Sequence, residues 1–380
     1  MKIMKMMDLS RAFYRECILP ALREDFPQIA DTHAAALIGY GSEVLGNDDE
    51  ISKFYGWGPR VNLFLTKEDH RLVAERIKEV LWANLPWTFM GCPARFKPDP
   101  QLGAPRPTDD PDGTPLIAIT TSECYAEWYT GHSAIPVSPL DWLLIPEPRL
   151  LELSSGEVFH DGIGALTKLR EYFHYFPEDV WRHPLAYQWK TLPWDIDLIG
   201  LCAARNDTLS SRICTNRSVE RIIGLVFLLS QTYKPGYLKW VHRQFYKLPH
   251  LAREVGPSLE EAVTSKDCRT SLEILYSALD LLVEFQAGLG FPPNDSWKKD
   301  APWGRGFFQR NLDSIITTVR QSISGPLADL SFQVGAPDQW VGDWDLLYLP
   351  EAMKSLRHVY SLEDPTKDLY VRGRLEDQGI

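Results

Sequence analysis

The chain has few cysteines for its size, six in 380 residues, at positions 17, 92, 124, 202, 214 and 268. No two form a CxxC pair and none has a histidine at ligand spacing, which excludes a zinc ribbon and argues against a disulfide framework. They are expected to be reduced thiols serving as small apolar residues in a cytoplasmic protein. Long apolar runs are missing too. The longest, residues 222–229, spans eight residues, far short of the ~20 needed to cross a bilayer. The basic N-terminal stretch Met1–Met7 lacks the apolar core of a signal peptide. There is no excess of positive charge: 40 Lys and Arg against 51 Asp and Glu leave a net −11. A chain this acidic repels phosphate backbones, so a nucleic-acid partner is not expected, and neither is a membrane. No GxSxG, Walker or GxGxxG motif occurs, and no histidine has metal-ligand spacing.

What is abundant is aromatic: 13 Trp, 15 Tyr and 16 Phe. They can build core or line a pocket for a bulky apolar ligand, and composition allows both. The length suits about two domains at ~150 residues each. Periodicity predicts a helix over 10–25, with Phe13, Cys17 and Leu22 on one face and a bend at Pro20. A buried strand over 34–40 runs into Gly41-Ser42, and a second strand covers 60–65. Thr66 and Asp69 form a capping-box signature for a helix carrying Leu72, Val73, Ile77, Val80 and Leu81. A Pro-, Asp- and Gly-rich loop over 97–115 precedes a strand over 116–120. Helical spacing then dominates, over 163–175, 179–189, 218–233, 272–283 and 308–323. The expected fold class is α+β: an α/β domain over 1–150, a helical domain over 151–345 and a C-terminal extension over 346–380.

A strand ending in Gly-Ser, then a loop and a second strand, is how the nucleotidyltransferase fold opens. Here the match is much longer than that turn. Gly41-Ser42-Glu43-Val44-Leu45-Gly46-Asn47-Asp48-Asp49-Glu50-Ile51-Ser52 and Trp57-Gly58-Pro59-Arg60 resemble a family of uncharacterised nucleotidyltransferase-like proteins of bacteria and fungi. The likeness continues through Phe159-His160-Asp161, Tyr175-Phe176-Pro177-Glu178-Asp179-Val180-Trp181 and Lys239-Trp240. It ends at Asp338-Gln339-Trp340-Val341 and Asp345-Leu346-Leu347. The resemblance implies a nucleotidyltransferase-like mixed-sheet domain followed by helices. In that fold the Gly-Ser turn holds nucleotide phosphates, while an Asp-x-Asp pair and a third carboxylate hold two metal ions.

The departures carry as much meaning as the match. Members of the family usually read Ser-x-Asp-His-Asp-Trp-Gly-Pro where this chain has Ser52-Lys53-Phe54-Tyr55-Gly56-Trp57-Gly58-Pro59. On the third strand they usually read Val-Glu-Val-Thr-Thr, where this chain has Ile117-Ala118-Ile119-Thr120-Thr121. All three metal-binding carboxylates are replaced, by Phe54, Gly56 and Ala118. Asp48, Asp49 and Glu50 lie near, but their spacing suits loop hydrogen bonding better than a metal. Neither a metal nor a cofactor is therefore expected.

Exchanging three charges for Phe, Gly and Ala makes a cavity with apolar walls, suited to an apolar small-molecule substrate held by a few polar contacts. Tyr55, Ser42 and Thr120 are the candidate catalytic residues. Phe54, Trp57, Ala118, Tyr125 and Tyr129, with Lys239 and Trp240, are the candidate substrate-binding residues. The expected function is a metal- and nucleotide-independent natural-product cyclase. Its reaction would be an intramolecular Diels–Alder closure of a terpenoid or polyketide, which needs near-attack geometry and a hydrogen bond to an activating carbonyl. The alternatives are a nucleotidyltransferase with a rearranged metal site and a nucleotide-binding pseudoenzyme.

Overall fold

The computed structural model describes residues 4–54, 56–101, 103–298, 300–302 and 308–361. The chain divides into two units: residues up to Pro136 together with Arg149–His174, and Val137–Pro148 together with the chain from Tyr175 onward.

The first unit opens with α1 (Met6–Phe13) and α2 (Leu19–Asp25), joined by a π-helical turn over Tyr14–Ile18. Pro20 falls in the first turn of α2, where its missing N–H costs nothing, so the expected single helix becomes two. Strand β1 (Ala34–Leu37) stops at the Gly39 and Gly41 turns, shorter than the apolar run suggests. Strand β2 (Arg60–Phe64) leads into α3 (Lys67–Asn84), which starts where expected: the Thr66 hydroxyl accepts from the Asp69 N–H at 3.1 Å. The Pro-rich stretch is partly ordered, as the hairpins β3 (Thr88–Phe89) with β4 (Cys92–Pro93) and β5 (Phe96–Asp99) with β6 (Ala104–Pro107). Strand β7 (Leu116–Thr120) and α4 (Ser122–Thr130) follow.

Helix α5 (Pro139–Leu143) belongs to the second unit, and α6 (Glu147–Ser154) straddles the division. Strand β8 (Glu157–Asp161) and α7 (Ala165–Tyr172) return to the first unit. The sequence places 151–174 with the helical part, but β8 pairs antiparallel with β1 and completes the sheet. The sheet is mixed, in the order β7-β2-β1-β8, with β2 and β7 parallel. One face carries Ala35, Val61, Leu63, Ile117 and Ile119 and packs on Phe13, Ile18, Leu22, Ile77 and Leu81. The other face is covered at Ala34, Ala36 and Phe64 and reaches solvent at Ala118.

The second unit is helical. Helix α8 (Glu178–Ala204) packs against α9 (Thr208–Leu229), α12 (Cys268–Gly288) and α13 (Asp313–Gln321). Between them lie α10 (Leu238–Phe245) and α11 (Leu251–Thr264), and α11 packs on α9 and α12. Helix α8 runs through both Pro184 and Pro193, well past the expected end at 189. Its buried face is continuous, and the Trp189 indole N–H donates to the Gln286 side chain at 2.6 Å. Helix α9 begins ten residues earlier than its apolar period suggests. Its first turns bury Ser211, Thr215 and Ser218, whose hydroxyls donate to the carbonyls of Ile199, Ser211 and Cys214. Satisfied hydroxyls behave as small core residues, and they hide the apolar stripe. A short hairpin, β9 (Asp300–Pro302) with β10 (Phe308–Arg310), precedes α13, which is therefore shorter than the 308–323 expected. The small α14 (Trp344–Leu347) and α15 (Pro350–Ser355) follow. The fold class is α+β. Among the described residues no helix is long and apolar enough to cross a membrane.

Candidate functional site

The face of the sheet away from α1 and α3 carries the positions that matter. Register puts Ala118 of β7 beside Asn62 of β2 and Asn62 beside Ala36 of β1, and of the two methyl groups flanking the amide that of Ala36 is fully buried. Ala118 is exposed. The Asn62 amide oxygen is buried and has no hydrogen-bond partner. Such an atom is satisfied by water or by a ligand donor.

At one end of this row the chain turns through Gly39, Gly41 and Ser42. Arg60, the first residue of β2, pairs there with Glu43, and both side chains are about nine-tenths buried. The same guanidinium donates to the Tyr40 carbonyl at 2.6 Å and lies 4.3 Å from the Tyr40 ring centroid. Burial alone would weaken its charge, but Glu43 and Tyr40 more than offset that, and the guanidinium is held charged. A Cβ on Gly41 would come 2.2 Å from the Glu43 carboxylate and 2.7 Å from the Arg60 guanidinium. The Gly41 side of the turn is therefore filled by the chain's own ion pair, while Ser42 is half-buried. The Ser42 carbonyl accepts from the Asn47 N–H at 2.7 Å.

The structure brings few of the expected site residues together. Tyr55 lies outside the described residues. Phe54 ends the 3-10 turn Ile51–Phe54, just ahead of β2. Thr120 pairs with Phe64 at the opposite end of β7 from the Leu116–Arg60 pair. Four residues of strand put it roughly 13 Å from that end, so the sheet does not present Thr120 beside the Gly41-Ser42 turn. Trp57 packs against the core on the other face of the sheet, and its indole N–H donates to Asp48 at 3.4 Å. Tyr125 and Tyr129 are buried on α4, with Tyr125 edge-on to Phe64 at 5.1 Å. Their hydroxyls meet the Gly39 turn, where a Cβ would lie 2.4 and 2.5 Å from them. Burial, first of all, raises the pKa of Tyr125 well above the phenolic value. These two tyrosines brace the turn. Lys239 and Trp240 are residues of α10 in the second unit, where Trp240 is buried and Lys239 is exposed.

The sequence missed α4 and the groups that hold it. Thr121 caps its N-terminus by accepting from the Cys124 N–H, and Gly131 closes it in the left-handed region. Those two residues are legible signals. Arg149, 4.2 Å from the Tyr129 ring centroid, pairs with Glu152, whose carbonyl accepts from the Gly39 N–H at 3.0 Å. Nothing in the local sequence points to that brace.

A two-metal site does not fit these residues. Asp48 accepts from the Met6 N–H, Asp49 from the N–H and hydroxyl of Ser52, and Glu50 pairs with Lys53. Each acid of that run has a structural task, as expected. Among the described residues no three His, Cys, Asp or Glu side chains converge on a metal position.

The second unit has a polar centre of its own. A cavity of about 490 Å³ is lined by Glu147, Asp338, Arg217, Arg221, Trp340 and Trp344, among others. The Glu147 N–H donates to the Asp338 carboxylate at 3.3 Å, and the Lys234 N–H donates to the Glu147 carboxyl at 2.8 Å. Burial, then the Asp338 charge, push the Glu147 carboxyl well above the usual carboxylate range, and burial raises Asp338 as well. Beside them the Tyr175 hydroxyl is buried without a partner. Buried Asp195 accepts from the Arg221 Nε–H at 2.6 Å and forms an ion pair with the Arg217 Nε at 3.0 Å.

Residues 142–241 match the model of a domain of unknown function, DUF4037. A nucleotidyltransferase-like protein from Exiguobacterium sibiricum is similar in structure at 12% sequence identity. That similarity covers 75% of this chain and 82% of that one, with a TM-score of 0.34. No curated protein matches the chain.

Proposed function

We propose that this chain is a nucleotidyltransferase-like protein that has given up nucleotidyl transfer and uses the sheet face away from α1 and α3 to bind a largely apolar organic molecule. One observation carries the reading. Where the resembling family places a carboxylate, Ala118 stands exposed beside Asn62, whose amide oxygen is buried and unpaired. One exposed methyl beside an unsatisfied acceptor favours a neutral ligand with a hydroxyl or amide over a metal-bound triphosphate. The Arg60–Glu43 pair supports the same conclusion, because an anionic ligand at the Gly41-Ser42 turn would have to compete with Glu43.

The reaction proposed is an intramolecular cycloaddition of an apolar terpenoid or polyketide. Two σ bonds form from π bonds of the same molecule, with no leaving group, oxidant or metal. The chain's contribution would be to hold the reacting termini together, with the Ser42 hydroxyl donating to an activating carbonyl. Tyr55, Phe54 and Thr120 remain proposed contacts of that site.

The test is calorimetric titration of the whole chain with ATP, CTP, GTP and UTP, with and without magnesium, beside mass spectrometry of molecules extracted from the purified protein. The expected result is no magnesium-dependent binding and a retained apolar compound. Tight metal-dependent nucleotide binding overturns the proposal, and metal-independent nucleotide binding replaces it with the pseudoenzyme reading. Restoring Phe54→Asp, Gly56→Asp and Ala118→Glu together should abolish binding of the apolar compound. If binding survives, the sheet face is not the site.

A further inference from the structure

We propose that the cavity of the helical unit is a second binding site, for a small zwitterion whose ammonium seats on the Glu147–Asp338 carboxyls and whose acid group seats on the Arg217–Arg221 guanidiniums. The proposal rests on the second unit alone and is independent of the sheet-face reading.

The cavity, about 490 Å³, is of the size that encloses a small molecule. Its two charged groups are of opposite kind. Arg217 and Arg221 stand one turn apart on α9, and a single buried carboxylate, Asp195, forms an ion pair with the Nε of each. That arrangement aligns both side chains; Glu220 also lines the cavity but forms no ion pair with either guanidinium among the described residues. The arrangement also leaves the Nη groups, which carry no other hydrogen bond among the described residues, free for a carboxylate or phosphate fork. Glu147 and Asp338 are each held by a backbone N–H. Lys234 adds a positive charge nearby but forms no ion pair with either acid among the described residues. With Lys234 near but unpaired, burial of the two acids favours a retained proton, which an incoming ammonium would displace.

The wall between the poles is mixed, with Gln188 and Gln339 among apolar side chains. Trp340 and Trp344 form part of it, and Gly236 is what admits Trp344: a Cβ there would fall 1.6 Å from the indole. Aromatic faces suit both the hydrocarbon middle of a ligand and its ammonium. Gln339 is fixed by donating to the Pro184 carbonyl and the Gln188 side chain, at 2.9 and 2.8 Å. The Asp338-Gln339-Trp340-Val341 motif, which the sheet face leaves without a task, thus forms one wall of this cavity.

The experiment is calorimetric titration of the full chain with β-alanine, γ-aminobutyrate, δ-aminovalerate and phenylalanine. Glutarate and cadaverine serve as probes with charges of one sign only. At least one zwitterion is expected to bind about tenfold or more tighter than both of them. Arg217→Gln and Asp338→Asn should each weaken that binding by about tenfold. Arg217 is largely solvent-exposed, with 58% side-chain accessibility, so its replacement leaves the fold intact, as a thermal melt will verify. The proposal is overturned if no zwitterion binds, if glutarate or cadaverine binds as tightly, or if Arg217→Gln leaves the affinity unchanged.

Discussion

The two units hold buried charge in opposite ways. In the sheet unit, Arg60 and Glu43 meet as a complementary pair, with Tyr40 covering the guanidinium, and together they fill the space beside Gly41. In the helical unit, Glu147 and Asp338 are like charges brought together, and burial raises both instead of cancelling them. A buried pair of opposite sign is a settled structural element. A buried pair of like sign is costly unless protonated or met by a cation, so it points outward to a partner. The difference separates a place where charge serves folding from one where it serves binding.

The largest effect should come from breaking the complementary pair. Arg60→Met strands the Glu43 carboxylate and should cost about 3–5 kcal/mol in denaturant unfolding. Adding Glu43→Leu should recover much of that loss. Equal stability of the single and double variants would mean the two charges are uncoupled.

A smaller loss is expected at the turn beside it. Gly39 and Gly290 share a φ of +96°, but a Cβ at Gly39 strikes two tyrosine hydroxyls while one at Gly290 meets nothing within 4 Å. Gly39→Ala should therefore cost about 2 kcal/mol or more, and Gly290→Ala only the ~1 kcal/mol of left-handed strain. Matching melting temperatures would show that the tyrosines yield and do not brace the turn.

The mildest test concerns pH. Glu147 and Asp338 titrate higher in the folded chain than in the unfolded one, so their contribution is fully present below the unfolded carboxyl values. It is lost as pH rises through the folded ones, at up to about 1.4 kcal/mol per pH unit for one proton. Asp197, pushed up to about 6 by burial, acts with the same sign. Glu147→Gln should flatten this decline and leave the protein no less stable at neutral pH. An unchanged slope would place the sensitivity elsewhere.

How much of this was legible depended on whether the determining contact was local. Strands β2 and β7 and the start of α3 followed from alternation and from the Thr66–Asp69 cap, because those signals act within a few residues. The passage of α8 through two prolines and the polar opening of α9 were hidden. In both, burial against neighbouring helices overrides local preference. Composition leaves the aromatic excess free to build core or pocket, and Trp142, Trp189, Tyr14, Phe13, Phe96 and Phe173 are fully buried core residues. Trp57 stands close to the altered motif in sequence but on the core side of the sheet. Nearness along a strand says nothing about face until the register is known.

The sequence alone determined that positions 54, 56 and 118 carry no carboxylate, and that the acids at 48–50 are spaced for a loop. Those are properties of residue type and short spacing. Only the tertiary structure decided that Glu147 meets Asp338 across 191 residues, that β8 closes the sheet on β1, and that Glu43 folds over Gly41 onto Arg60. The reason is physical. Burial and long-range pairing set the energy of a charge, and neither exists until the chain has brought distant segments together.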